Sequence, residues 1–439
     1  MRKSIVLGSI LVLLQPSLLA YDLQQEHTWG GPDRDGALGV AVADDGSVYV
    51  TGGTRSFDPG GEDAFLLKYH ASGTLLWQRT YGEPTTSEVV AAESGVGVAV
   101  APDGSGVLVT GNYRGGDIFL AKFSPAGGLL LAVTWGGGNE GASDIAVAPN
   151  GTIYVTGFTE TFDVGQGDAF LLSFSPTGTL NWQRTWGGEF FDISRGVAVA
   201  TDGNVYISGD TTFSANSAFL VKFTADGSVI WQREWGVVGK RGSPDDDETL
   251  GGGVAAAPGG GVFVSGWSLG AGFDPNLIAA RFDAAGNFVW QRIGGPGFGA
   301  APDIAVGADG SVHVAGNVLD ESSDAGGNAF VWTLSANGKG NDAAVWGGDD
   351  ETELESGQSI AVAPDGVLAV VGTAGAPPYA LDRGSKNAKN VDTFLAPTTG
   401  TVNSLSAALG TPAAVVTVPA GSETFAGVSD AFLLRVQQR

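Results

Sequence analysis

Five carboxylates recur at one position of a repeated sequence, and a sixth, Glu248, lies one residue away from it, close to the start of a short apolar segment that each repeat contains. They are Asp35, Glu93, Glu140, Asp192, Glu248 and Glu355. Carboxylate oxygens are ligands that Ca²⁺ prefers, and a group of negative charges also attracts a cationic partner. Acidic loops equally keep a protein soluble. The pattern therefore leaves three alternatives: a cation-binding ring, a surface for a cationic partner, or a solubilising surface.

Positive charge is concentrated in one insertion of an otherwise acidic chain. Residues 374–424 interrupt the last repeat and contain Arg383, Lys386 and Lys389. Long loops in compact domains often carry function. We expect these three side chains to contact a ligand, although a hairpin without a binding role fits the sequence equally well.

Catalytic and metal-binding motifs are not visible. The chain has no Cys, and its three His, at 27, 70 and 313, lack the spacing of metal ligands. The sequence has no strand-to-helix turn that could form a nucleophile elbow, and no phosphate-binding loop occurs. The sequence therefore assigns no catalytic residue and favours a protein that is not an enzyme. It predicts no cofactor beyond the Ca²⁺ that the acidic ring could bind.

The net charge limits which partners we expect, and the N-terminal residues indicate the compartment. The formal net charge is −25, which repels nucleic acid phosphate and anionic lipid. Residues 1–20 have two cations, a short apolar run and small residues, as signal peptides do. We expect an exported monomer of one domain, residues 21–439, in the periplasm, at the cell surface or outside the cell, with no membrane insertion after cleavage. Without disulfides, packing must hold it together.

Seven copies of an aromatic position, one of them occupied by Ile, mark a repeat of about 50 residues. The positions are Trp29, Tyr81, Trp135, Trp186, Trp235, Ile293 and Trp346. Repeats of this length are typical of stacked or radial architectures.

Each copy predicts four strands. The third copy has apolar runs at 144–148, 153–157, 169–174 and 180–186, with Asn150-Gly151 between the first two. Asp-Gly or Asn-Gly between apolar runs is a strong hairpin signal, and helical periodicity is missing. Four antiparallel strands repeated seven times predict an all-β, seven-bladed β-propeller.

The last copy lacks a fourth strand, and the segment after the signal peptide supplies one. Residues 23–30 read LQQEHTWG, which matches the fourth strand of the other copies. We predict that this N-terminal strand pairs with residues 431–436 and completes the last blade, because both terminal sheets would otherwise expose long edges.

The fourth strand carries an aromatic and cationic row. Alternate residues of a strand share a face, so Trp182, Arg184 and Trp186 point the same way. This row could bind a sugar, but its recurrence in blade after blade favours packing between blades.

Copies such as DAFLLSFSPTGTLNWQRTWGG at 168–188, preceded by NGTIYVTG at 150–157, resemble the SBBP-type β-propeller repeat of bacterial and archaeal exported proteins. The resemblance covers residues 28–439 apart from the insertion, and copies five and six depart most. It implies a secreted or cell-surface seven-bladed propeller and supplies no catalytic residue. Residues 175–188 also resemble, more weakly, the tryptophan-docking repeat of quinoprotein dehydrogenases, whose active-site constellation the sequence lacks.

These observations favour a non-enzymatic exported propeller that binds a protein or glycan through the loop-rich face around its channel. One alternative is an enzyme acting on polysaccharide or a quinone-linked substrate at the channel mouth. Two close carboxylates with raised pKa in a cleft would favour it. Another alternative is a calcium-stabilised structural surface protein.

Overall fold

Strands joined by short glycine-bearing turns make up the regular structure of the chain. The computed structural model describes residues 21–57, 61–82, 93–162, 165–211, 217–237, 248–269, 275–294, 298–319, 327–340, 342–348, 355–375 and 429–438, together with five short strands between residues 379 and 416. The predicted signal peptide lies outside the described residues. Within this part of the chain, no helix has the length and apolar character needed to span a membrane.

The strands form seven antiparallel sheets, each built on four strands that run outward from a central channel. The inner strands are β2 (Asp35–Val42), β6 (Ser94–Val100), β10 (Glu140–Val147), β14 (Asp192–Val199), β18 (Glu248–Ala256), β22 (Phe298–Val306) and β26 (Ser356–Val362). The second strands are β3 (Val48–Thr54), β7 (Val107–Tyr113), β11 (Ile153–Thr159), β15 (Val205–Thr211), β19 (Val262–Leu269), β23 (Val312–Leu319) and β27 (Leu368–Ala374). The predicted seven-bladed β-propeller is therefore confirmed.

The two further strands of each blade complete the sheets. The third strands are β4 (Asp63–Tyr69), β8 (Asp117–Phe123), β12 (Asp168–Phe174), β16 (Ser217–Phe223), β20 (Pro275–Phe282), β24 (Gly327–Leu334) and β33 (Asp430–Gln438). The outer strands are β5 (Leu75–Tyr81), β9 (Leu129–Trp135), β13 (Leu180–Gly187), β17 (Val229–Val237), β21 (Phe288–Gly294), β25 (Asp342–Gly348) and β1 (Tyr21–Trp29). Blades are numbered 1 to 7 from the inner strands β2 to β26.

Blade 7 is closed by the N-terminal strand, as the sequence predicts. Its strand order is β1-β33-β27-β26, with Leu23 opposite Val436 and Trp29 opposite Ala431. The strand β33 thus lies between β1 and β27 and is paired along both of its edges.

The insertion in blade 7 adds strands to other blades. Its five strands are β28 (Tyr379–Arg383), β29 (Thr393–Ala396), β30 (Thr401–Ser404), β31 (Leu409–Gly410) and β32 (Val415–Val416). They pair in turn with the outer strands β25, β17, β13, β9 and β5, so blades 6, 4, 3, 2 and 1 each gain a fifth strand. The sequence suggested a loop or hairpin here, whereas the described strands of the segment pair with the outer strands of five other blades.

Apolar side chains fill the space between neighbouring blades. One such cluster joins Trp29 and Leu433 of blade 7 to Val50, Phe65 and Tyr69 of blade 1. Six further clusters of the same kind occur around the ring. Because each sheet buries both faces against its neighbours, the ring holds together without covalent cross-links.

The tryptophan and arginine row of the outer strand joins blades. Trp182 donates from Nε1 to the Ala225 carbonyl at 3.1 Å, and Arg184 donates from Nε to the Gly227 carbonyl at 3.2 Å. The guanidinium lies 5.3 Å from the Trp182 ring centre. The same contacts recur from blades 1, 4 and 5 to the blade that follows each of them. The row is packing between blades, as its recurrence indicated.

Candidate site in the central channel

A β-bulge in every inner strand turns side chains toward the channel. Each inner strand shifts register near its start, which leaves one or two residues without a partner on the second strand. We call the following six residues the bulge ring: Leu38, Val96, Ser143, Arg195, Pro302 and Gln358. All six line one cavity. Blade 5 has Gly252 and Gly253 at this place and contributes Trp267 from its second strand instead.

The cavity lies on the axis of the ring, because residues from all seven blades line it. Its volume is about 240 Å³, enough for a side chain or a small ligand. The bulges lie near the residues where inner strands begin. The cavity therefore lies at the bulges of the inner strands.

Two carboxylates stand in the cavity wall directly after bulge positions. Asp144 accepts hydrogen bonds from the backbone N–H groups of Ile145 at 2.7 Å and Val197 at 2.9 Å. Because Val197 belongs to the next blade, this carboxylate connects two inner strands. Burial raises the pKa of Asp144 to about 7, and the negative charge of Asp303 adds to the effect.

Asp303 makes the equivalent connection from blade 6 to blade 7. It accepts hydrogen bonds from the Ser359 hydroxyl at 2.7 Å and from the backbone N–H groups of Ile360 at 2.9 Å and Ile304 at 2.7 Å. Burial raises its pKa above the usual range, while these hydrogen bonds act in the opposite direction. The pKa of Asp303 is thus shifted in the same direction as that of Asp144, and burial is the main cause in both.

A cation and an aromatic ring complete the wall. The Arg195 guanidinium forms an ion pair with Asp210 and lies 5.8 Å from the ring centre of Trp267 in the next blade. Desolvation raises the pKa of Asp210 in spite of this cation, because the carboxyl is almost fully enclosed. With Asp144 and Asp303, the wall offers hydrogen-bond acceptors, one guanidinium and an indole face.

The predicted acidic ring lies where outer strands lead into inner strands, and three members bind neighbouring loop groups. Asp35 accepts hydrogen bonds from the Gly31 N–H at 2.8 Å, from the Ser56 hydroxyl at 2.7 Å and from the Thr54 hydroxyl. Glu140 likewise accepts from the Gly137 N–H at 2.8 Å and the Thr159 hydroxyl at 3.0 Å.

Asp192 repeats this arrangement one blade later. It accepts a hydrogen bond from the Gly188 N–H at 2.9 Å and one from the Thr211 hydroxyl. Burial raises the pKa of both Asp35 and Asp192. Each of these carboxylates thus fixes the turn between blades to the end of a second strand.

Five members also fasten one blade to the previous one through the backbone. Their N–H groups donate to the carbonyl of a residue at the start of the previous third strand or directly before it, at 2.5–2.9 Å. The pairs are Asp35–Ser429, Glu93–Glu62, Glu140–Gly116, Asp192–Gly167 and Glu355–Gly327. The side chains of Glu93 and Glu355 are buried, whereas Glu248 is exposed.

The structure does not join the acidic ring to the cavity. The six predicted carboxylates are not among the residues that line it. Among the described residues, no group of three His, Cys, Asp or Glu side chains is placed to hold a metal ion. Of the predicted insertion contacts, Arg383 pairs through its backbone with Ala344, and Lys386 and Lys389 lie outside the described residues.

Sequence reasoning missed the channel residues, although a signal was present. The inner-strand run reads Gly-Val-Ala-Val in several copies, but Asp replaces the Gly at 144 and 303. Burying a carboxylate in an apolar inner strand costs free energy unless it is hydrogen-bonded. The two exchanges therefore indicated a special role for these positions in blades 3 and 6. Arg195 and Trp267 interrupt equally apolar strands.

Comparison with known proteins gives distant likenesses. No protein-family model matches the chain. An uncharacterized WD repeat-containing protein of Acanthamoeba polyphaga mimivirus is 24% identical over 170 residues, which are 36% of this chain and 10% of that protein. The chain thus matches only about a tenth of the length of this curated relative.

Several solved structures align with most of the chain. An ulvan lyase, a polysaccharide lyase, is 10% identical with a TM-score of 0.47, over 80% of this chain and 92% of that one. A protein from Lactobacillus plantarum is 16% identical with a TM-score of 0.45, over 69% and 82%. The periplasmic gluconolactonase of Pseudomonas aeruginosa is 17% identical with a TM-score of 0.36, over 71% and 98%.

Proposed function

We propose that the protein is a non-enzymatic binding scaffold whose ligand contacts the wall of the channel cavity. The observation that supports this is a contrast within the repeat. Positions that pack blades together repeat residue types, such as the Trp-Gln-Arg of four outer strands, whereas the bulge ring has a different side chain in each blade that contributes one. The bulge ring therefore repeats a backbone feature in each blade but presents different side chains to the channel, as a selective binding surface requires.

The face around the cavity suits a protein or glycan ligand. The cavity is large enough for one inserted side chain or sugar unit, and Trp267, Gln358 and Ser143 offer a ring face and hydrogen-bonding groups. Loops connecting the blades surround the same opening and can add contacts. The acidic surface still argues against nucleic acid and anionic lipid as partners.

A plugged channel tests this proposal. Ser143→Trp fills the cavity, and Asp44→Trp adds the same bulk to an exposed turn at the opposite end of the channel. Wild type and both variants are probed on a glycan array and by cross-linking to intact cell envelopes. Their melting temperatures are measured first, to show that both variants are folded as wild type is. We expect Ser143→Trp to lose binding and Asp44→Trp to keep it. Equal binding by all three proteins would contradict a channel site.

Export is part of the same proposal. The signal-like segment at 1–20 and the absence of Cys support a protein that leaves the cytoplasm without needing disulfides. Edman sequencing of the protein recovered from the periplasm or medium should begin near Tyr21. A mature protein that retains residues 1–20 in the cytoplasm would contradict export.

A second candidate function is acid–base chemistry in the channel. The raised pKa values of Asp144 and Asp303, two carboxyls in one cavity, favour it. Their hydrogen bonds to the next blade give each a structural role as well, which is why binding is our first proposal. Assays on acidic and neutral polysaccharides with wild type, Asp144→Asn and Asp303→Asn separate the two functions, since an enzyme would lose turnover in the variants.

A further inference from the structure

We propose that the insertion of blade 7 is a strap that covers the exposed edges of the propeller and keeps two copies of the chain from pairing. We define the strap as strands β28 to β32, residues 379–416. Its strands are short, and each forms an antiparallel ladder with the outer strand of a different blade. This role is independent of the channel site.

The described strap strands lie on five blades. After β27 of blade 7, the strands β28 to β32 pair with blades 6, 4, 3, 2 and 1 in that order, and β33 belongs to blade 7 again. Along the chain, the strap strands therefore meet the blades in the reverse of their numbering. In each blade it pairs with the end of the outer strand that leads to the next blade, such as Arg184–Gly187 in blade 3.

The outer strands need such a cover. An outer strand presents backbone N–H and C=O groups that accept a strand from any chain. The strap ladders lie at the ends of these strands, whereas Leu76, Leu130, Ile230 and Val289 near their beginnings stay 49%, 57%, 45% and 48% exposed, so the strap covers backbone groups and not these side chains. Long, apolar and similar edges repeated around one ring are sites for edge-to-edge association.

The two blades without a fifth strand differ in how their edges are protected. Among the described residues, β21 of blade 5 and β1 of blade 7 have no strap strand beside them. The β1 edge reads LQQEH, and polar and charged residues discourage pairing. The β21 edge reads FVWQR and keeps an exposed Val289. Blade 5 is therefore the internal reference for an outer strand without a strap.

Without the strap, the edges of the outer strands can pair with the same edges of a second copy of this chain. The outer strands of blades 1, 3 and 4 share the sequence Trp-Gln-Arg at the same place, so the edge of one copy meets an equivalent edge of another in a compatible register. Pairing through backbone groups needs no further side-chain complementarity. The strap takes up these groups within one chain and thereby favours the monomer.

A deletion tests the strap without disturbing blade 7. Ala374 lies directly opposite Asp430, so an Asn-Gly turn can connect Gly375 to Ser429 in place of the segment 376–428. Size-exclusion chromatography with light scattering compares this variant with wild type over a range of concentrations. We expect wild type to stay at one chain mass and the deletion variant to reach at least about twice that mass. A deletion variant that stays monomeric at every concentration would overturn the proposal.

Point variants and hydrogen exchange keep the test decisive if the deletion prevents folding. Val402→Pro and Leu395→Pro interrupt strap strands opposite Trp186 and Trp235, while Lys389→Pro changes the segment between β28 and β29. Outward-pointing amides of β13 and β17 should exchange more than about tenfold slower than those of β21, and the first two prolines should abolish the difference. Equal exchange in β13, β17 and β21 of the wild type would refute the strap.

Discussion

The indole nitrogen of Trp29 donates a 2.7 Å hydrogen bond to the side-chain oxygen of Gln78, and both side chains are buried. Trp29 ends the N-terminal strand of blade 7, and Gln78 lies in the outer strand of blade 1. The bond thus crosses the junction at which the ring closes. Trp135 and Gln183 repeat it at 2.7 Å, and Trp186 and Gln232 at 3.0 Å.

Gln78→Leu should lower the free energy of unfolding by about 1–3 kcal/mol, because it leaves the buried Trp29 N–H without an acceptor. Urea unfolding followed by tryptophan fluorescence measures the change. Gln291→Leu is the matched control: Gln291 and Trp235 occupy the same two positions at the junction of blades 4 and 5, yet neither side chain has a hydrogen-bond partner among the described residues. Equal losses in both variants would show that the bond contributes nothing.

His313 should make the protein less stable in acid. Its ring nitrogens contact the hydroxyls of Thr333 at 2.7 Å and Ser311 at 2.8 Å, and burial lowers its pKa to about 4. The unfolded chain takes up this proton near pH 6.5 but the native protein only near pH 4, so the free energy of unfolding falls as the pH falls through that window. The loss is about 3 kcal/mol at most.

His313→Gln should flatten this pH dependence, which urea unfolding at several pH values between 7 and 4 measures. The exposed Asn181, which carries no titratable group, provides the control, because Asn181→Gln should leave the slope unchanged. An unaltered slope in His313→Gln would mean that other groups cause the acid sensitivity.

Asp144 should titrate near pH 7, and Asp303→Asn should lower that pKa because it removes a neighbouring negative charge. Carboxyl ¹³C chemical shifts measured against pH report the titration, and Asp45→Asn in a distant turn serves as control. A native pKa above the unfolded value means that the contribution of Asp144 to stability is lost as the pH rises from about 4 through 7. An Asp144 pKa near 4 would remove the main support for acid–base chemistry in the channel.

Calcium should leave the melting temperature unchanged. The oxygens of Asp35, Glu140 and Asp192 already accept hydrogen bonds from loop N–H groups and hydroxyls, so a cation would have to displace them. Scanning calorimetry in EDTA and in millimolar CaCl₂ compares the two states. A melting temperature that rises with calcium concentration would instead support the calcium-stabilised alternative.

The sequence predicted those parts of the fold that depend on local patterns. Turns such as Asn150-Gly151 and the alternating runs around them determine strands within one copy, and counting strands was enough to pair residues 23–30 with 431–436. The strap was not predictable in this way. Its ladders join Val402 to Trp186 and Leu395 to Trp235 through backbone groups, and such pairing leaves no periodic side-chain pattern.

The candidate site was harder to predict than the fold for a related reason. The sequence located Asp35, Glu140 and Asp192 at the connections between blades, but it could not show that Thr54 or Thr159 would hydrogen-bond to them. The channel wall depends on bulges, whose positions follow from the register between strands rather than from residue type. Only the Gly-to-Asp exchanges at 144 and 303 were visible beforehand.

The position of β33 between β27 and β1 makes completion of the polypeptide a condition for closing the ring. During translation β1 leaves the ribosome long before its partner β33, which includes Gln438 opposite Tyr21. A chain truncated before residue 430 would lack β33, so β1 and β27 would each lose their neighbouring strand. Such unpaired strands are accessible to cellular proteases. Blade 7, and with it the closed ring, can therefore form only after β33 has been synthesised.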